Sequence, residues 1–96
     1  MSRGQKLRIL TYDISDDKIR RRVATILEDR ATRVQFSVFE GRLSDRMLEQ
    51  VVSSIEEHIQ LEDSLRVYTL SSTSEKSCKV VGGGIPMDTN ASYWLF

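Results

Sequence analysis

Residues 11–29 read TYDISDDKIRRRVATILED: a strand end, an acid-rich turn and then a helix. The fold follows from this stretch and its flanks. Upstream, residues 5–12 (QKLRILTY) alternate, with Leu7, Ile9 and Thr11 pointing one way and Arg8, Leu10 and Tyr12 the other. Apolar groups on both faces predict a central strand covered on two sides. Asp13 closes that strand. Ser15 or Asp16 can then cap orphan helical N–H groups, and Asp16 and Asp17 suit the positive end of a helix dipole. The helix is expected from Asp17 to Arg30, its apolar stripe formed by Ile19, Val23, Ile26 and Leu27. Arg21 falls opposite the stripe, whereas Arg20 and Arg22 border it and can lean toward the ends or edges of a sheet.

Residues 32–43 (TRVQFSVFEGRL) are β-prone, with Val34, Phe36 and Val38 expected on a core face and Arg33, Gln35 and Ser37 on a mixed one. Phe39 breaks the alternation, which requires either a bulge or turn near Ser37–Val38 or a second covered surface. Ser44 is expected to cap a second helix over residues 45–60, with Leu48, Val51, Val52, Ile55 and Ile59 buried. LEDS is a polar turn and residues 65–70 (LRVYTL) a further strand. The order β-α-β-β-α-β gives the fold class: α+β, a ferredoxin-like split βαβ sandwich with two helices on one sheet face. Residues 1–70 make this core domain and residues 71–96 a C-terminal extension. In the extension SSTSEKS reads as a flexible link and CKVVGGGI as an extra short strand running into a glycine-rich bend. The final SYWLF is an apolar end that either marks a contact surface or folds back onto its own domain. A sheet with helices on one side leaves its second face open. Leu10, Tyr12 and Phe39 are expected to make that face adhesive, so a dimer is expected to form through it.

Composition sets the outer limits. Ninety-six residues, 40% hydrophobic and 29% charged, suit one small domain with a core of its own. No apolar run approaches the roughly 20 residues that span a bilayer, and no secretory leader is visible after Met1. One cysteine, Cys78, excludes an internal disulfide framework, and one histidine, His58, excludes a conventional zinc site. A reducing, cytoplasmic setting is the expectation. The net charge of zero argues against a generic polycationic nucleic-acid binder. The charges are nonetheless segregated: residues 1–46 hold eleven Lys/Arg against seven Asp/Glu, a net of +4, and residues 47–96 hold three against seven, a net of −4.

The run TYDISDDKIRRRVATILED, followed by TRVQFSVFEGRLS and then DSLRVYTL, resembles the CRISPR-associated Cas-two family in order and spacing across residues 7–70. The resemblance implies a homodimer of ferredoxin-like subunits with sheets packed face to face and a C-terminal strand, here CKVVGG, reaching the partner's sheet. It implies that Asp13 is the catalytic residue and metal ligand, with Tyr12 as its neighbour. Arg20 and Arg22 of the first helix and Arg33 at the start of the second strand would then contact nucleic acid, and Phe39 would support the site or the dimer interface. Activities described in the family are Mg²⁺-dependent cleavage of single-stranded RNA or double-stranded DNA. Its other role is non-catalytic, bridging dimers of the Cas-one integrase during spacer acquisition in the prokaryotic cytoplasm. Beyond Leu70 no family pattern is matched.

Mg²⁺ keeps several waters and takes one or two protein carboxylates. A two-fold axis near the strand ends would bring Asp13 and its symmetry mate together, giving one shared Mg²⁺ per dimer. Such an ion lowers the pKa of bound water and neutralises phosphate charge, while arginine forks hold the backbone phosphates. Plainer roles stand beside these. Asp13 is also ordinary turn chemistry before a helix, and Asp16 and Asp17 are helix-start residues. Tyr12 and Phe39 suit interface packing as well as base stacking. His58 is a packing residue at the edge of the second helix's stripe, and Cys78 a small strand residue. With no second histidine, no lysine in the motif and no carboxylate cluster, nothing offers a general base, so any hydrolysis would rest on the metal and be slow. Three functions follow: a DNA-binding structural adaptor, a Mg²⁺-dependent endonuclease, or a toxin-like ribonuclease.

Overall fold

A computed structural model describes residues 4–83 and the strand Trp94–Leu95. The element order is β1 (Lys6–Asp13), α1 (Asp17–Glu28), β2 (Thr32–Gln35), β3 (Val38–Leu43), α2 (Asp45–Glu56), β4 (Ser64–Leu70), α3 (Ser72–Glu75), β5 (Lys79–Val80) and β6 (Trp94–Leu95). The first four strands form one antiparallel sheet in the order β2-β3-β1-β4. This is the ferredoxin-like arrangement that the element order predicts, with β1 central. Strands β5 and β6 pair with each other in parallel, Lys79 with Trp94 and Val80 with Leu95. The expected roles of Tyr93 and Phe96 lie outside the described residues.

Both helices start as their sequences dictate. Asp16 is the N-cap of α1, its carboxylate accepting from the Ile19 amide at 2.9 Å, and the Ser44 hydroxyl caps α2 by accepting from Met47 at 3.2 Å. Each helix ends before its expected boundary: α1 stops at Glu28 and α2 at Glu56. Ile59 still packs against the core from the following loop. Val23, Leu27, Val51 and Ile55 are buried from the helices, and Leu10, Tyr12, Phe39 and Leu43 from the sheet. Gly41 admits the turn after α1: a Cβ there would stand 2.9 Å from the Arg30 carbonyl and 3.0 Å from Ala31 Cβ.

The structure corrects three expectations. First, Leu10, Tyr12 and Phe39 lie under the helices at 0%, 5% and 0% exposure, not on the open face. Antiparallel pairs share a face, so register settles the matter: Leu10 pairs with Phe39 and Val67, all facing the helices. The opposite face carries Ile9, Thr11, Val38 and Tyr68 instead. Second, Phe36 is 92% exposed and not in the core. Strand pairing closes at Gln35 and Val38 and leaves Phe36–Ser37 as a two-residue loop, with a shift in register between Arg33 and Gln35. That loop and bulge explain why Phe39 breaks the alternation. Third, the SSTSEKS segment is structured. Ser71 caps α3 through the Ser74 amide at 3.0 Å, and buried Glu75 pairs with Arg42 on the open face. Leu7, on the same face beside Arg42, is 1% exposed.

Candidate functional site

Strand β1 delivers Asp13 to its C-terminal end, where pairing with Ser64 of β4 is the last rung of that ladder. Asp13 belongs to the same alternation as Thr11 and Ile9, so it stands on the open-face side of the sheet. It is exposed, and among the described residues its carboxylate takes part in no hydrogen bond or ion pair. The two acids after it are occupied: Asp16 caps α1, and Asp17 pairs with Arg20. Of the three acids of the β1–α1 turn, Asp13 is the one without such a partner among the described residues.

The supporting residues divide into those near Asp13 and those away from it. Arg20 reaches back over the β1–α1 loop and donates to the carbonyls of Ile14 at 2.9 Å and Ser15 at 3.3 Å. It thereby fixes the loop that follows Asp13 and remains partly open to solvent. Tyr12 holds the other side. Its amide donates to the Ser37 carbonyl at 3.1 Å and its hydroxyl to the Phe36 carbonyl at 3.4 Å, tying the β2–β3 loop to the end of β1. The Tyr12 ring stacks on Phe39, centroids 6.2 Å apart, and the Arg33 guanidinium lies 5.2 Å over the Phe39 ring. Arg33 also faces Glu28 at 3.5 Å. Arg22 is exposed on α1 without a hydrogen bond or ion pair among the described residues. Asp13, Tyr12 and Arg20 thus meet at one end, Arg33 runs along the edge strand, and Arg22 stays apart on its helix.

Metal chemistry here has a small donor set. Among the described residues no group of three or more His, Cys, Asp or Glu side chains converges. Asp13 would offer one carboxylate, the lower end of what Mg²⁺ takes from protein. Cys78 offers no alternative nucleophile: burial pushes its thiol up from its ordinary value, and Glu40 and Glu75 add to the shift. His58 sits half-buried after α2, its amide bonded to the Ile55 carbonyl.

Sequence reading missed one charged residue of structural weight. Arg8, 3% exposed, faces the helix side of the sheet and donates to the Leu43 carbonyl at 3.0 Å, the Thr69 hydroxyl at 3.0 Å and Asp45 at 2.7 Å. An arginine inside an alternating strand opposite a glycine was the available signal, since Gly41 leaves room across the ladder. The guanidinium beside Asp45 holds that carboxyl below its ordinary value, helped by the charges of Lys6 and Arg8.

Known proteins share this sequence and fold. A family described as CRISPR associated protein Cas2 matches residues 6–78. A relative from Synechocystis sp. (strain ATCC 27184 / PCC 6803 / Kazusa), named CRISPR-associated endoribonuclease Cas2 2, is 41% identical over 77% of this chain and 82% of its own. Among solved structures, a hypothetical protein from Thermus thermophilus superposes with a TM-score of 0.78 at 34% identity, covering 88% of this chain and all of that one (100%). A partial Cas6-RT-Cas1–Cas2 complex contains a chain that superposes at 0.62 with 29% identity, covering 76% of this chain and 87% of that one. The chain belongs to the Cas2 family of CRISPR-associated proteins.

Proposed function

We propose that this chain acts in CRISPR spacer acquisition as a nucleic-acid-binding homodimer and cleaves phosphodiesters with the help of Mg²⁺ held by Asp13. The observation that carries this reading is the Asp13 carboxylate, exposed and unpaired among the described residues at the end of the central strand, while Asp16 and Asp17 beside it are occupied. Its position on the open-face side suits a dimer in which two sheets meet, so that the two Asp13 side chains together hold one Mg²⁺. When bound, such an ion supplies Lewis acidity toward water and phosphate. Arg20 keeps the loop after Asp13 in place, and Arg20, Arg22 and Arg33 bind phosphates of RNA or double-stranded DNA. Tyr12 and Phe39 support the site from beneath by packing and by holding the β2–β3 loop, not by forming the dimer surface. The C-terminal extension after Leu70 contributes to the partner contact.

Relatives named endoribonuclease and endonuclease support the enzymatic part, and the solved complex of Cas1 with Cas2 supports an integrase partner for this chain. The setting is the prokaryotic cytoplasm. No helix among the described residues is long and apolar enough to cross a membrane. A second reading, a structural adaptor between integrase dimers without catalysis, is favoured by one observation: among the described residues no group of three or more His, Cys, Asp or Glu side chains converges on Asp13. Cleavage of labelled single-stranded RNA and duplex DNA by highly purified protein, in Mg²⁺ and in EDTA, separates the two. The nuclease reading expects cleavage only in Mg²⁺ and its loss in Asp13→Ala. Binding of duplex DNA by both proteins with no cleavage by either would leave the adaptor alone, and equal cleavage by both would show that Asp13 is not the site.

A further inference from the structure

Phe36 is the side chain that the fold leaves unexplained. It is 92% exposed, yet its backbone is tied to the end of β1. The Phe36 and Ser37 carbonyls both accept from Tyr12, whose ring is itself packed on Phe39. Pairing of β1 with β3 runs from Lys6–Leu43 to Thr11–Val38. The Tyr12 amide bonds the Ser37 carbonyl at 3.1 Å just beyond that ladder, where the chain turns into the β2–β3 loop. An exposed aromatic ring is therefore carried on a loop tied to the residue that precedes the unpaired Asp13.

The surroundings say what would cover it. Phe36 is flanked by the polar Gln35 and Ser37, while the half-buried Val34 and Val38 share its groove. It borders a shallow groove of about 740 Å³ along edge strand β2, lined by residues 33–38, with Arg33 at its far end. Arg20 is bonded to the Ile14 carbonyl, next to Asp13. An exposed ring sharing a groove with a guanidinium is what single-stranded nucleic acid uses: bases stack on the ring and phosphates meet the cation. A duplex keeps its bases stacked on one another and offers nothing to such a ring.

Resting on the reading of Asp13 as a nucleic-acid site, we propose that Phe36 is a positioning residue on which an unpaired base stacks, setting the adjoining phosphodiester against Asp13 and favouring single-stranded substrate.

The test is fluorescence-anisotropy titration in EDTA, where nothing is cleaved, using the full chain and three labelled probes: a single-stranded oligouridine, the same length with abasic sites, and a DNA duplex. Phe36→Ala is expected to weaken the oligouridine about tenfold while leaving the abasic strand and the duplex unchanged. Phe36→Trp should restore binding, with quenching of the new indole as the base stacks. Unchanged oligouridine binding by Phe36→Ala overturns the inference and leaves the nucleic-acid reading standing. Absence of binding by the wild-type chain to any probe removes both. Sedimentation of each variant completes the test, because a dimer that dissociates on Phe36→Ala would mean that a second copy covers the ring, which also overturns the inference.

Discussion

Arg8 and Asp13 stand on the same strand, yet Arg8 is 3% exposed with hydrogen bonds to Leu43, Thr69 and Asp45, whereas Asp13 is exposed and unpaired among the described residues. The contrast begins with strand parity. Even positions of β1 face the helices, where an unpaired charge would carry a desolvation penalty, so Arg8 had to be saturated with acceptors. Odd positions face the open side, where Asp13 keeps its hydration and stays available. Position along the strand adds to this. The Arg8 end meets the N-terminus of α2, which presents Asp45, while the Asp13 end meets a loop whose acids are occupied by capping and by Arg20. One strand thus separates a charge that holds the fold from a charge that the fold leaves unpaired among the described residues.

The largest effect expected on stability comes from removing the saturated charge. Arg8→Ala strands the buried Leu43 carbonyl and removes the packing of the arginine stem, and should destabilise the chain by about 2–4 kcal/mol. Urea denaturation at fixed protein concentration measures it, and Arg8→Met, which keeps the stem volume, should lose less. A loss below about 0.5 kcal/mol for Arg8→Ala, the scale of ordinary surface changes, would erase the distinction between the two ends.

A smaller effect follows from the partner of Arg8. The Asp45 carboxyl is held below its ordinary value by the Arg8 hydrogen bond and by the charges of Lys6 and Arg8. A depressed folded-state value means that its contribution is fully present above the unfolded value, about pH 4, and disappears as pH falls through the folded value. The gap in stability between the wild type and Asp45→Asn should be flat at neutral pH and close below about pH 4. A gap that stays constant to lower pH would mean that the ion pair contributes nothing. Asp45 is well exposed, so the gap is expected to be modest and to shrink with salt.

How far the sequence revealed this arrangement differs from feature to feature. The helices were legible because their stripes and caps are local: Ser44 and Asp16 act within three residues, at Met47 and Ile19. The end of β1 was legible for the same reason, since Asp13 directly precedes a capped helix. Which face of β1 lies under the helices was not legible, because Leu7 and Ile9 on one side are as apolar as Leu10 and Tyr12 on the other. Arg8 even made the buried face look polar. Only pairing across the sheet decides the parity. The β2–β3 loop was obscure for a different reason. Phe36–Ser37 contains neither glycine nor asparagine, and no described non-glycine residue adopts positive φ, so the turn lacks the mirror-image chemistry that marks two-residue hairpins. The bulge between Arg33 and Gln35 takes up the mismatch in twist. The α3 turn depends on Glu75 reaching Arg42 across the open face, a partner 33 residues away that no local pattern encodes.

The most direct test of the contrast is the stability of Asp13→Asn beside the wild type, in EDTA and again in excess Mg²⁺. Equal denaturation midpoints are expected in EDTA, because the Asp13 carboxylate is unpaired among the described residues. In Mg²⁺ at a hundredfold excess over its dissociation constant, only the wild type should gain, by about 2.7 kcal/mol per dimer. A marked loss by Asp13→Asn in EDTA, or an equal response of both proteins to Mg²⁺, would contradict that contrast.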